Sequence, residues 1–200
     1  MTATSASNPS VVVIGGPNGA GKTTAAPRLL RGALRVDEFV NADTLAQGLS
    51  AFRPEDAAIQ AGRILLERLG QLAGRRLSFA FEATLASRGL GRRLERLRGL
   101  GYHVHVVYLW LPSVDLALAR VAARVRAGGH DVPRGAIVRR FDRGRRNFFV
   151  RYRPIANSWR LYDASPAEGP RIIAAGGSAG PVRIADDALW RRAAEGYADE

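Results

Sequence analysis

The sequence of 200 residues contains no cysteine and only one lysine, Lys22, among its 30 basic residues. The absence of cysteine excludes disulfide bonds and cysteine-ligated metal sites. No run approaches the roughly 18 apolar residues that a membrane-spanning helix requires, so we predict no membrane partner and a cytoplasmic location. Acidic residues number only 18, and the resulting net charge of +12 favours anionic ligands.

A chain of this length fits one domain that buries its core under a central sheet. Positions 1–10 are small and polar, without the basic and apolar segments of a signal peptide. We therefore predict a disordered N-terminal tail over residues 1–10 and a single domain over residues 11–200.

The one lysine lies in a glycine-rich segment with the spacing of a phosphate-binding loop, G-x-x-x-x-G-K-[ST]. Because arginine is otherwise the cation of this chain, Lys22 marks a position that needs a compact ammonium group. In such a loop, backbone N–H groups surround the phosphates and the lysine reaches the β- and γ-phosphate oxygens, while the hydroxyl of Thr23 binds Mg²⁺. The sequence does not separate ATP from GTP, and we take ATP as the substrate. The predicted ATP-binding residues are Gly16, Pro17, Asn18, Gly19, Ala20, Gly21, Lys22, Thr23 and Thr24.

Predicted strands alternate with predicted helices, which is typical of a parallel α/β sheet. We predict a three-layer P-loop NTPase fold of the kinase type, with a mostly parallel central sheet and an arginine-rich helical lid at about 113–155. A surface turn is expected over 176–181. The predicted strands are 11–14, 39–41, 77–81, 102–111, 160–162 and 171–174, and the predicted helices are 23–30, 54–74, 88–100, 113–127, 133–147, a short one before 159, and 185–197.

Polar residues follow two of these strands, and ligands of parallel sheets bind beyond the carboxyl ends of the strands. Asn41 ends the second strand and Asp43 follows it, while Glu82 and Thr84 follow the third strand. Phosphoryl transfer requires an acceptor hydroxyl that is aimed at the γ-phosphate and deprotonated, and Asp43 is the candidate base. We predict that all four residues bind the acceptor substrate.

Two of these residues have other interpretations. Asp43 and Thr44 could cap a helix over 44–49, a role that does not exclude catalysis. Glu82 could orient the acceptor, bind a metal-coordinated water, or polarise water as the hydrolytic carboxylate of an ATPase.

Positive charge is concentrated in the segment 120–153, which holds eleven arginines against Asp131 and Asp142, a net charge of +9. This segment could be a lid that clamps phosphates and an anionic substrate, or a solvated helical face. It could also be a nucleic-acid surface, since aromatic residues are interleaved with the arginines. Those aromatic residues are Phe141, Phe148, Phe149 and Tyr152.

The three histidines divide into two groups. His103 and His105 alternate with apolar residues on one predicted strand, which favours core or interface positions over ligand binding. His130 follows two glycines at a predicted helix end and is a candidate substrate contact.

Taken together, these segments resemble the zeta-toxin family, in particular its compact members that are often described as predicted ABC-type ATPases. The resemblance covers about residues 11–175. The motifs that carry it are the run Val13 to Thr24, Phe39-Val40-Asn41-Ala42-Asp43, Phe81-Glu82-Ala83-Thr84-Leu85-Ala86-Ser87, and Gly128 to Pro133 with Arg139-Arg140-Phe141 and the segment Arg143 to Asn147.

The resemblance implies a P-loop kinase that phosphorylates the 3′-hydroxyl of UDP-N-acetylglucosamine with ATP, and a small helical antitoxin as partner. It implies catalytic roles for Lys22 and for Asp43 as general base, and a phosphate clamp from Arg120 or Arg124. The family's E-x-T substrate contact falls on Glu82 and Thr84, and Arg140 lies in the lid motif as a further substrate contact. The chain is shorter than the characterised toxins, and its Gly-Gly-His segment has no clear counterpart in them. A P-loop ATPase that acts as a nucleic-acid-associated binding module or switch is the alternative function.

Overall fold

The computed structural model describes residues 8–30, 36–50, 56–129, 131–178 and 180–197. Within these ranges the strands are β1 (Ser10–Gly15), β2 (Glu38–Val40), β3 (Phe79–Ala83), β4 (His103–Trp110), β5 (Ser158–Asp163), β6 (Arg171–Gly177) and β7 (Gly180–Ile184). The helices are α1 (Lys22–Leu29), α2 (Ala42–Leu49), α3 (Ala58–Gly74), α4 (Arg88–Gly99), α5 (Val114–Arg126), α6 (Arg134–Asn147), a π-helix (Phe148–Tyr152), α7 (Arg153–Ile155) and α8 (Asp187–Ala194).

The strands form one sheet in the order β2-β3-β1-β4-β5-β6-β7. The first five strands in that order run parallel, and β6 and β7 are antiparallel additions at one edge. In the centre, Ile14 of β1 pairs with Glu82 of β3, and Gly15 pairs with Tyr108 of β4. The carboxyl ends of these strands therefore meet at the residues that follow β1, where the glycine-rich loop begins.

Alternate residues of β1 point to opposite faces of the sheet and enter separate apolar cores. Val11 and Val13 belong to the core that also holds side chains of α3, α4, α8 and the π-helix. Val12 and Ile14 belong to the core formed with α1, α5 and α6. The predicted three-layer fold with a mostly parallel sheet is thus confirmed.

Two predictions about chain segments are wrong. The predicted turn over 176–181 is not one turn, because Gly176 and Gly177 end β6 and Gly180 begins β7. All five residues of β7 are exposed, and the alternation of apolar and polar residues is limited to Val182, Arg183 and Ile184, which is too short to reveal a strand. The third helix begins at Ala58, four positions later than predicted, and Asp56 lies in the turn before it.

Other sequence predictions fall partly outside the described ranges. Positions 1–7, Pro54, Glu55 and His130 belong to the undescribed part of the chain, so the predicted tail and the predicted contact from His130 stay predictions. The strand β1 already includes Ser10. Within the described ranges, no helix combines the length and the apolar character that crossing a membrane would require.

Candidate active site

The glycine-rich loop follows β1 and leads into α1, as the phosphate-loop prediction requires. Gly16, Gly19 and Gly21 have positive φ angles of 145°, 80° and 73°. A Cβ at Gly16 would lie 2.6 Å from the carbonyl oxygen of Leu109, so a side chain has no room there. The sequence therefore uses glycine where the backbone must adopt left-handed conformations and pass close to β4.

The side chain of Lys22 curls back over this loop. Its Nζ donates to the carbonyl oxygens of Gly16 at 3.0 Å and Pro17 at 2.9 Å. Burial lowers the pKa of Lys22, whereas the carboxylates of Glu82 and Asp43 act to raise it. The ammonium group therefore lies within the field of both carboxylates that were predicted from the sequence.

Two arginines also act on this ammonium group. Arg124 of α5 and Arg140 of α6 both lower the pKa of Lys22 through charge repulsion. Positive charge from two different helices thus acts on the ammonium group of the glycine-rich loop.

Asp43 does not cap α2, and the alternative interpretation of this residue is wrong. The cap is Asn41, whose Oδ1 accepts from the backbone N–H groups of Asp43 at 2.7 Å and Thr44 at 3.3 Å. Asn41 is 7% exposed, whereas the side chain of Asp43 is exposed in the first turn of the helix. The carboxylate of Asp43 is therefore available to a ligand in the cavity that it lines.

Glu82, Thr23 and Asn41 form a short polar network at the end of β3. The Oγ1 of Thr23 donates to Oε2 of Glu82 at 3.2 Å, and Nδ2 of Asn41 donates to the same Oγ1 at 3.3 Å. Glu82 lies inside β3 rather than after it, because the strand extends to Ala83. This network joins the predicted metal ligand to two of the predicted acceptor contacts.

These groups line a cavity of about 650 Å³. The cavity is lined by seven of the site residues that were predicted from the sequence: Asn18, Lys22, Asn41, Asp43, Glu82, Thr84 and Arg140. The lid contributes more than the sequence analysis identified, since Asp131, Arg139 and Arg143 also line the cavity. A signal for them exists in the sequence, because Val132, Ala136, Arg139 or Arg140, and Arg143 recur at helical spacing.

The two arginines predicted to clamp phosphate, Arg120 and Arg124, lie in different environments. Arg124 shares the electrostatic environment of Lys22, as described above. Arg120 instead donates through Nη1 to the carbonyl oxygen of Ala164 at 2.6 Å and through Nη2 to that of Ser165 at 2.7 Å. It lines a second cavity of about 580 Å³, on the other side of the glycine-rich loop, that the segment 164–170 helps to form.

Three of the four aromatic residues interleaved with the arginines are buried. Phe148, Phe149 and Tyr152 are 0%, 5% and 0% exposed, so they are unavailable to stack on nucleic-acid bases. They pack instead into the core beneath the π-helix. His105 shares a 2.6 Å hydrogen bond with Ser158 at the opposite end of the sheet from the cavity, so it is not among the residues that line the cavity.

Glutamine in place of Glu82 is expected to stabilise the fold at neutral pH. Burial raises the pKa of Glu82, with a smaller raising effect from Asp43, although the charge of Lys22 opposes both. Because the pKa of Glu82 is raised by folding, this residue contributes fully to the stability of the fold below its ordinary pKa of 4.5. That contribution is lost as the pH rises through the raised pKa of the folded protein. The melting temperature of Glu82→Gln should therefore exceed that of wild type at pH 7 to 8, and the gain should shrink toward pH 4.5.

Thermal unfolding measured across this pH range tests the expectation, with Glu95→Gln as a matched control on the exposed face of α4. The control should change little at every pH. A Glu82→Gln variant that is less stable than wild type at pH 7 would contradict the assignment of an unfavourable buried carboxylate.

The fold and the glycine-rich loop define a class, the proteins with a P-loop fold, and comparison with known proteins agrees. Residues 11–149 match the family described as the AAA domain, and the chain belongs to that family. A curated relative, an uncharacterized protein of Haemophilus influenzae, is 28% identical over 126 residues, which cover 63% of this chain and 88% of the relative.

Solved structures show the same fold. A chain of the AvrRxo1-ORF1:AvrRxo1-ORF2 complex with sulphate ions matches with a TM-score of 0.72 and 16% identity over 92% of this chain. A chain of the PezAT chromosomal toxin–antitoxin system of Streptococcus pneumoniae matches at 0.67 and 17% over 94% of this chain and 79% of its own. A gluconokinase from Sinorhizobium meliloti 1021 matches at 0.51 and 16% over 80% of this chain and 85% of its own. This chain spans 63% of the AvrRxo1 chain, less than two thirds of it. These matches confirm the predicted P-loop fold.

Proposed function

We propose that this protein transfers the γ-phosphate of ATP to a hydroxyl group of an anionic metabolite, with Asp43 as general base. The observation that carries the proposal is the convergence of Lys22, Asp43 and Glu82 on one cavity, which the arginines of α6 also line. Phosphoryl transfer depends mainly on positioning and on neutralising charge, and these residues supply both.

The nucleotide half of the proposed site consists of the glycine-rich loop and the second cavity. The loop presents backbone N–H groups and Lys22 to phosphates at the start of α1. Thr24 follows Lys22 and Thr23 along α1 and lines the second cavity together with Arg120. By binding two carbonyl oxygens, Arg120 anchors the first two residues of the segment 164–170, and we assign this cavity to the nucleoside.

The residues at the loop fit a magnesium ion. Thr23 presents its hydroxyl beside Glu82, and Oε1 of Glu82 is buried without a hydrogen-bond partner among the described residues. Hydroxyl and carboxylate oxygens are the ligands that Mg²⁺ prefers, directly or through water. We propose that Thr23 and Glu82 hold the ion, which when bound neutralises charge on the β- and γ-phosphates.

The acceptor half lies between α2, the end of β3 and α6. Asp43 is exposed to the cavity and can accept the proton of the acceptor hydroxyl. Asn41 and Thr84 supply neutral hydrogen-bonding groups, while Arg140 supplies positive charge for an anionic group. The family resemblance makes UDP-N-acetylglucosamine and other UDP-sugars the first acceptors to test, and His130 a further contact.

The proposed biological role is that of a toxin held in check by a small helical antitoxin. This proposal rests on PezAT, which is a toxin–antitoxin system, and on AvrRxo1-ORF1, whose structure is that of a complex with AvrRxo1-ORF2. The alternative role, a nucleic-acid-associated switch, loses support because three of the four aromatic residues that would contact bases are buried.

The proposal is tested by incubating the protein with ATP, Mg²⁺ and a panel of acceptors, and by detecting phosphorylated products by mass spectrometry. The panel contains UDP-sugars, the corresponding uncharged sugars and single-stranded RNA. We expect product from at least one UDP-sugar and none from the uncharged sugars, because the lid arginines need an anionic partner. ATP hydrolysis that yields no phosphorylated acceptor and is stimulated by RNA would support the switch instead.

A further inference from the structure

The segment 84–87, which follows β3 and carries the acceptor contact Thr84, adopts an unusual backbone. Leu85 has a φ of 57°, in the left-handed region that costs free energy for any residue with a side chain. It is nevertheless 1% exposed and tightly packed. A conformation of this kind persists only where the surroundings determine it.

The surroundings that determine it belong to the lid helix and its continuation. Nδ2 of Asn147, a residue that is 9% exposed, donates to the carbonyl oxygen of Leu85 at 2.7 Å. The hydroxyl of Tyr152 donates to the carbonyl oxygen of Ser87, also at 2.7 Å. Two buried side chains thus bind the carbonyl groups on either side of residue 86.

The π-helix explains how both side chains reach the same segment. Asn147 and Tyr152 are five positions apart, and in an α-helix they would point about 140° apart around the axis. The π-helix over Phe148–Tyr152 has i→i+5 hydrogen bonds, and its wider turn brings positions five apart closer to the same face than an α-helix does. A wide helical turn therefore directs both donors at one segment.

The segment 84–87 also packs closely against α6 on one side and against the end of β1 on the other. A Cβ at Gly144 would overlap the carbonyl oxygen of Thr84, so α6 approaches the segment through a residue without a side chain. On the other side, a Cβ at Gly15 would lie 2.7 Å from Cδ1 of Leu85. Leu85 is thereby packed between the lid helix and the residue at which the phosphate loop begins.

We propose that Asn147 and Tyr152 are positioning residues that hold the segment 84–87 in its strained conformation and so fix Thr84 relative to Arg139, Arg140 and Arg143 on the same continuous helix. The kinetic consequence rests on the proposed function, since it concerns the acceptor half of the site. Without these two hydrogen-bond donors, the segment 84–87 relaxes and the acceptor loses its contacts with Thr84. The contacts of the nucleotide are unchanged.

Hydrogen–deuterium exchange tests the positioning without any substrate. In Asn147→Ala and Tyr152→Phe, we expect faster exchange of the backbone amides in a peptide covering 84–88. Asn157→Ala is the matched control, because Oδ1 of Asn157 accepts from the N–H of Val104 at 2.9 Å at the other end of the sheet. Exchange at 84–88 that is unchanged, or that increases equally in the control, would overturn the proposal.

Steady-state kinetics then tests the consequence. We expect the KM for the acceptor to rise about tenfold in Tyr152→Phe, which removes one hydroxyl and keeps the ring, while the KM for ATP stays within about twofold. Equal increases in both KM values would show a purely structural role. If exchange increases but wild type phosphorylates no acceptor, the positioning stands and the proposed function fails, so the two failures are distinguishable.

Discussion

Methionine in place of Lys22 is expected to reduce phosphate transfer about 10³-fold. The variant keeps the length of the side chain and removes the ammonium group that the structure places over the glycine-rich loop, near Glu82 and Asp43. That charge is needed most in the transition state, when the γ-phosphate is moving between oxygens. The measurement is the initial rate of product formation at saturating ATP and acceptor.

Arginine at the same position should not restore activity. A guanidinium is planar and wider than an ammonium, whereas Nζ of Lys22 reaches two adjacent carbonyl oxygens, those of Gly16 and Pro17. The matched control for removal of a cation is Arg96→Met on the exposed face of α4, which should leave the rate unchanged. A Lys22→Arg variant with more than about a tenth of wild-type activity would contradict the idea that this position requires a compact ammonium group.

Asparagine in place of Asp43 is expected to lower the transfer rate by about 10²- to 10⁴-fold, because an amide cannot accept the proton of the acceptor hydroxyl. ATP affinity should change little, since Asn41 rather than Asp43 caps α2 and the glycine-rich loop is untouched. Isothermal titration calorimetry gives the ATP affinity, and product formation at saturating acceptor gives the rate.

The control for this substitution is Asp142→Asn, at an exposed position on α6. It removes one carboxylate from the lid without changing a residue that lines the cavity. A normal rate in Asp142→Asn combined with a normal rate in Asp43→Asn would remove Asp43 from the mechanism. It would then point to Glu82 or to Asp131, the other carboxylates in the cavity.

Much of the fold was predictable because its signals are local. The buried run in β1, the loop spacing and the helix that follows all appear as consecutive letters, and the structure confirms them. The predicted bounds of β3 were two residues too early at each end, because the apolar run Leu77 to Phe81 does not show that pairing with β1 continues to Ala83. Edge strand β7 was missed because its side chains are exposed on both faces.

The candidate site was predictable where its residues lie at or just beyond the carboxyl ends of strands, and less so where its residues are placed by helix packing. Asp43 and Glu82 could be found because parallel strands end at one edge. Arg139 and Arg143 were missed, since the face that α6 turns toward the cavity is set by the contact of Gly144 with Thr84. The left-handed conformation falls on Leu85, where the sequence offers no glycine or asparagine to mark it.

The most direct test of the account follows the γ-phosphate itself. ATP labelled at that position is incubated with Mg²⁺ and UDP-N-acetylglucosamine or another reactive UDP-sugar, and the label on the sugar nucleotide is compared with the label in inorganic phosphate. The account predicts label on the sugar nucleotide with wild type and its near-complete loss with Asp43→Ala. Label found only in inorganic phosphate, at the same rate in both proteins, would contradict it.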